Sequence, residues 1–211
     1  MDGAVEQPLP IQVTRSYGLL EGFLARERCR IANRLIPAEK RSGTVLDIGC
    51  GSHPLFLTNT EFNGKFGLDK MVRPEQKTTL RERRGISLVN YDVEQAREIP
   101  FESNSFDVVT MLAVFEHIEP ERLPELLSEI HRVLKPGGMY LLTTPAVWTD
   151  GLLRLLAKLR LVSPVEIEEH KDAYTHPRIG DLLARGGFDR AGMSFGYFEV
   201  FLNLWATATK K

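Results

Sequence analysis

The chain has 211 residues, enough for one α/β domain with a complete core and too few for two large ones. Lys and Arg number 27 against 28 Asp and Glu, a formal charge of -1, so composition gives no reason to expect nucleic acid as a partner. No apolar run reaches the roughly 18 residues a membrane span needs, and the first ten residues carry acids and two prolines where a secretory signal would be basic and then apolar.

Residues 1–15 read as a flexible tail, and residues 16–211 as a single domain. From Leu19 to Ile36 the apolar positions Leu20, Phe23, Leu24, Ile31 and Leu35 recur at helical spacing, and Pro37 ends the run. Tyr17 stands just ahead of this amphipathic helix, either as an ordinary surface residue or leaning over a ligand. Thr44-Val45-Leu46-Asp47-Ile48 suits a buried parallel strand, and it breaks into Gly49-Cys50-Gly51, where backbone turns tightly and lies close to a ligand. A dinucleotide fingerprint needs a third glycine three positions later; Pro54 stands there instead. Cys29 in the first helix and Cys50 in the turn have the spacing of neither a disulfide framework nor a metal knuckle, which fits a reducing cytoplasm.

A short helix is expected over Pro54 to Asn59, then a strand Lys65 to Asp69 ending in an acid. Asp69 lies 22 residues after Asp47, close to the roughly 20 expected between a first-strand loop and a ribose-binding carboxylate. Arg81 to Arg84 form a basic cluster, read as a solvated face, before a third strand from Ile86 to Asp92 that again stops at an acid. A fourth strand, Val108 to Leu112, follows a turn-rich approach. The segment Glu121 to Leu134 puts Leu123, Leu126, Leu127, Ile130 and Val133 on one helical face, and Lys135-Pro136-Gly137-Gly138 leads into a fifth strand, Met139 to Thr144. Residues 146–174 fall outside this alternation and read as a lid-like insertion. Its basic, leucine-rich stretch from Gly151 to Val162 suits packing onto its own domain better than peripheral membrane contact. A helix Arg178 to Arg185 and two closing strands, Ala191 to Tyr197 and Glu199 to Thr209, complete the chain. Five strand–helix alternations imply a doubly wound parallel sheet, with ligands in the crevice beyond the carboxyl ends of its strands.

Val45 to Gly51, Gly67-Leu68-Asp69, Tyr91-Asp92, Phe106-Asp107-Val108-Val109 and Leu134 to Gly138 come in one order over residues 43–144. Together they resemble the class I S-adenosylmethionine-dependent methyltransferases, in particular the small type-11 group. The resemblance implies a Rossmann-like, doubly wound, mostly parallel seven-stranded sheet with helices on both faces, S-adenosylmethionine as cofactor and a small-molecule, lipid-linked or sugar acceptor. It places Asp47 toward the cofactor's ammonium, Gly49, Cys50 and Gly51 along its backbone-facing side, Asp69 and Lys70 at the ribose, Asp92 and Val93 at the adenine, and Leu112, Ala113, His117 and Tyr17 around the methionine end. Should the acceptor arrive protonated, a general base is needed, and the candidates are Glu116, His117, His170, Tyr174 and His176, with His117 and His170 foremost. Some quinone-pathway members hold a metal at an acid-x-x-Glu-His pattern. Ala113 occupies the first acid's position here, so no metal is expected.

Two other readings stay open on the residues alone. A nicotinamide-dependent oxidoreductase or epimerase is opposed by Pro54, and a cofactor-binding partner subunit without turnover is suggested by the leucine-rich Leu152 to Leu161. The oligomeric state is not legible in the sequence.

Overall fold

The computed structural model describes residues 21–149, 174–199 and 202–211. The 1–15 tail, Tyr17, His170 and nearly all of the 146–174 insertion lie outside them. Seven strands form one sheet: β1 (Thr44–Ile48), β2 (Gly64–Asp69), β3 (Ile86–Asn90), β4 (Phe106–Leu112), β5 (Leu134–Pro145), β6 (Met193–Phe198) and β7 (Asn203–Thr209). Their spatial order is β3-β2-β1-β4-β5-β7-β6, and only the pairings that involve β7 are antiparallel. The order reverses between β1 and β4, which opens a crevice at their carboxyl ends.

Side-chain alternation along β1 divides the core. Leu46 and Ile48 point into a cluster with helices α4 (Leu123–Val133) and α5 (His176–Arg185), while Val45 points the other way, against α1 (Glu21–Leu35) and α2 (Leu55–Thr58). Asp47 shares the α1 side by the same alternation. The α1 stripe is shorter than its sequence suggests: Cys29, Ile31, Ala32 and Ile36 are buried, but Phe23 is 58% exposed, so among the described residues the buried stretch begins at Cys29. The helix α3 (Pro74–Arg84) was legible only as its terminal arginine cluster. None of its residues is buried, so it carries no apolar periodicity, and Gly85 at φ 63 ends it.

Two family-like motifs turn out to be braces at the amino ends of the strands. Lys135 Nζ reaches Asp107 Oδ2 at 2.6 Å, and Thr44 donates to the same oxygen through its backbone N–H (2.7 Å) and hydroxyl (3.1 Å). Burial opposes ionisation of Asp107, but these donors outweigh it and hold the carboxyl below its ordinary range. The extra residues Lys135 to Gly138 form an irregularity between the pairs Phe106–Leu134 and Val108–Met139, so β5 continues straight from α4 instead of beginning at Met139. The approach to β4 is fastened to α4 in the same manner: Arg132 donates to the carbonyls of Ile99 and Phe101, and Glu129 accepts from the Ile99 N–H.

Candidate active site

The carboxyl ends of β1 to β4 and the turns that follow them gather every predicted cofactor residue that lies among the described ones. Beyond Ile48 the chain turns through Gly49 (φ 74) and Gly51 (φ 71). The Gly49 and Cys50 N–H groups both donate to the Leu68 carbonyl, at 2.8 and 3.3 Å, which folds the turn over the end of β2. The two glycines serve different ends. A Cβ on Gly49 would stand 2.3 Å from Val114 Cγ2, so that side of the turn is filled by packing, whereas a Cβ on Gly51 would meet nothing closer than the His53 N at 3.9 Å. Gly51 therefore leaves bare backbone for a ligand. The Cys50 thiol is buried, lies beside Gly67, and is pushed well above its ordinary range by that burial and by the charges of Asp47 and Asp69. It is a packing group rather than a nucleophile.

Asp69 is more than a strand-end acid. Its Oδ2 accepts from the Gly51 N–H at 2.9 Å and its Oδ1 from the Met71 N–H at 2.7 Å, so one carboxylate ties the glycine turn to the loop after β2. Asp47, 4% exposed, is not left alone in its strand: the Thr110 hydroxyl, on the adjacent β4, donates to Oδ1 at 2.7 Å. Burial pushes its pKa up to about 7; the Thr110 hydrogen bond pulls the other way and the Asp69 charge adds to the rise.

Lys70 stands 4.0 Å from Asp92 and 3.7 Å from Glu94, bridging the ends of β2 and β3. The strand β3 stops at Asn90 rather than Asp92, because Asp92 turns the chain by accepting from the Glu94 N–H at 2.9 Å. Val93 is half-buried against the main core. At the end of β4, Leu112 is half-buried, and Ala113 adopts φ 55, a conformation costly for a residue with a Cβ. The Ala113 N–H donates to the Thr143 carbonyl at 3.0 Å and lies 3.2 Å from the Thr143 hydroxyl, which secures the bend. A 3-10 turn, Phe115–His117, follows and leaves His117 half-buried at the mouth of the crevice, with the neighbouring Glu116 only 2% exposed. Tyr174 is buried edge-on against Phe115 at 4.8 Å, and His176 packs on Tyr197 at 4.3 Å. Thr110 and Thr143 escaped the sequence reading because nothing in a strand sequence marks which hydroxyl will face a neighbouring carboxylate or N–H.

Ligand-free stability should carry the mark of Asp47. An unfolded carboxyl ionises near 3.8 and the folded one near 7, so the group favours folding fully below the lower value and that contribution is lost as pH rises toward the upper one. Asp47→Asn keeps an oxygen for Thr110 and is expected to melt higher than wild type at about pH 8 and alike at about pH 4. Melting curves over this range check it; parallel curves would show that Asp47 does not titrate there.

Residues 20–190 match the family described as a methyltransferase domain. The chain belongs to the S-adenosylmethionine-dependent methyltransferases. Among methyltransferases of known sequence, a probable chloroplastic tocopherol O-methyltransferase of Oryza sativa subsp. japonica is 32% identical over 111 residues, covering 51% of this chain and 30% of the relative. A tRNA N(3)-methylcytidine methyltransferase of Drosophila melanogaster is 27% identical over 107 residues, covering 46% of this chain and 33% of that one. This methyltransferase chain thus spans about a third of the length of these two relatives. The phosphoethanolamine N-methyltransferase 2 of Haemonchus contortus, solved in complex with S-adenosyl-L-methionine, superposes with a TM-score of 0.63 at 19% identity, covering 88% of this chain and 52% of that one. That likeness concerns the fold, which is the seven-stranded methyltransferase sheet expected from the sequence. Membership of this family sets aside the nicotinamide reading. No helix among the described residues is long and apolar enough to cross a membrane.

Proposed function

We propose that the chain transfers a methyl group from S-adenosylmethionine to a small-molecule acceptor by in-line displacement. The observation that carries this reading is the run of three carboxylates, Asp47, Asp69 and Asp92, at successive strand ends around a glycine turn whose Gly51 is open. A phosphate-free nucleoside bearing an amino acid needs acids and bare backbone rather than an anion site.

When bound, the cofactor supplies an electrophilic methyl on a sulfonium. Asp47 holds its ammonium, Asp69 accepts from the ribose hydroxyls, and Asp92 with Val93 receives the adenine. Leu112 and Ala113 border the methionine end and keep water from it. Positive charge is dispersed rather than created in the transition state, so alignment is the protein's main tool, worth about 7 to 11 kcal/mol in favourable cases. His117, at the crevice mouth, takes the proton from a hydroxyl or ammonium acceptor. His170, the other candidate base, and the lid-like insertion lie outside the described residues. The small-molecule reading is supported by the near-neutral charge of the chain, and the two free thiols support a cytoplasmic setting.

Calorimetry with S-adenosylmethionine and its demethylated product tests the reading: micromolar binding of either is expected, and binding of neither would remove it. Because an ammonium beside Asp47 favours the carboxylate, binding near neutral pH should release a proton and tighten as pH rises through about 7. Titrations in buffers of different ionisation enthalpy read this directly. Methyl incorporation into bulk tRNA, with none into small metabolites, would overturn the acceptor class.

A further inference from the structure

The exit of β5 carries the largest exposed ring among the described residues. Trp148 is 52% exposed in a 3-10 turn, Val147–Thr149, that leaves Val147 exposed as well. The turn is firmly set. Ala146 before it and Thr149 at its end are buried, and the Thr149 N–H and hydroxyl both donate to the Ala146 carbonyl, at 2.9 and 2.6 Å. The Ala146 N–H donates in turn to the Leu202 carbonyl at 3.0 Å. A braced backbone therefore holds Trp148 out. Rings are layered against it: Tyr197, near the end of β6, meets the Trp148 ring at 5.2 Å, and His176, the first residue of α5, meets Tyr197 at 4.3 Å. His176 is fixed by Phe195 at 5.5 Å and by the Gly196 carbonyl, 3.2 Å from Nε2. Single apolar residues on a surface are ordinary, but a contiguous patch of valine and three rings marks a binding face.

The patch lies at the carboxyl edge of the sheet. Because β5 runs parallel to β4, with Leu112 paired to Thr143, the residues after Pro145 emerge on the same edge as Ala113 to His117. Two contacts join the turns. Phe115, in the turn that carries His117, meets the Tyr174 ring at 4.8 Å, and Tyr174 pairs with Ala146 through a parallel bridge at the foot of the Trp148 turn. The exposed charge on this route is a cation, since the Arg178 guanidinium lies over the Tyr174 ring at 5.5 Å, whereas Glu116 is buried. An ammonium ion arriving here would meet like charge, and a flat uncharged or acidic ring would meet a face it can stack on.

We propose that Trp148, backed by Tyr197 and His176, is the platform on which the methyl acceptor stacks, and that the acceptor is a planar aromatic hydroxyl compound. The inference rests on the methyl-transfer reading and narrows it from any small molecule to a flat ring. The acceptor's hydroxyl oxygen bonds to the methyl carbon as the carbon–sulfur bond breaks toward sulfur, and the hydroxyl proton passes to His117.

The test uses the whole chain, methyl-labelled S-adenosylmethionine and two sets of acceptors. Catechol, 4-hydroxybenzoate and 1-naphthol are flat aromatic hydroxyls; cyclohexanol, 1-octanol and dimethylethanolamine are not. Label is expected in members of the first set only. Trp148→Ala should raise the KM of the labelled aromatic by roughly 5- to 150-fold, what a stacked ring is worth by alanine substitution, with kcat and the affinity for S-adenosylhomocysteine near wild type. Trp148→Phe keeps a ring and should stay within about threefold of the wild-type KM. Trp148→Leu reads the loss of the ring if the alanine variant does not fold. With S-adenosylhomocysteine bound, the labelled aromatic should also shield tryptophan fluorescence from acrylamide, and the shielding should vanish in Trp148→Phe, where only Trp205 reports. Label in any member of the second set, no label in either set, an unchanged KM in the ringless variants, or no shielding would each overturn the platform. Failure of the wild-type chain to bind S-adenosylhomocysteine would instead overturn the methyl-transfer reading beneath it.

Discussion

Gly49→Ala is expected to destabilise the protein by about 2 to 5 kcal/mol, through overpacking and the left-handed backbone together. The new methyl would fall 2.3 Å from Val114 Cγ2 and 3.0 Å from Val114 Cγ1, at a residue whose φ is 74. Val114 has little room to retreat, because the bend before it is secured by the bonds from the Ala113 N–H to Thr143, and Phe115 after it is fully buried. Denaturant unfolding measures the loss, and the double variant with Val114→Ala separates its two sources. Removing the valine branches should recover the overpacking part and leave the backbone part, a coupling of about 1 to 3 kcal/mol. Gly51→Ala makes the contrast. With open space on its Cβ side, it should cost only the backbone strain of about 1 to 2 kcal/mol while reducing cofactor affinity. Equal destabilisation at the two glycines would show that the turn does not pack as described.

The contrast also shows what kind of information the sequence carries. The strand-then-turn pattern at Thr44 to Gly51 was legible because it is local: branched aliphatics, then two glycines, in consecutive residues. The division of labour between Gly49 and Gly51 was not, since it depends on Val114, brought there by the parallel pairing of β1 with β4. Asp107 and Lys135 were recognised as motif residues, yet their bond at the far end of the sheet spans 28 positions and has nothing to do with the cofactor. The helix α3 escaped because burial is what writes periodicity into a sequence, and α3 has no fully buried residue, only Leu80 partly covered against the core.

For Asp69→Ala the expected result is a loss of cofactor affinity of about 1 to 3 kcal/mol, roughly 5- to 150-fold. Part is direct, the charged hydrogen bonds to the ribose. Part is indirect, because the Gly51 and Met71 N–H groups lose the acceptor that fixes their turns. The indirect part makes a modest fall in melting temperature the companion result, and Asp69→Asn divides the two. The amide retains one oxygen, enough to accept from the Gly51 N–H but not from both turns, and it removes the charge. If the ribose contact dominates, the asparagine variant should melt near wild type and still bind S-adenosylhomocysteine poorly. If turn bracing dominates, its affinity should recover most of the alanine loss. Unchanged affinity in both variants would mean that the ribose does not lie over the end of β2, and the order of the three carboxylates along the crevice would have to be assigned anew.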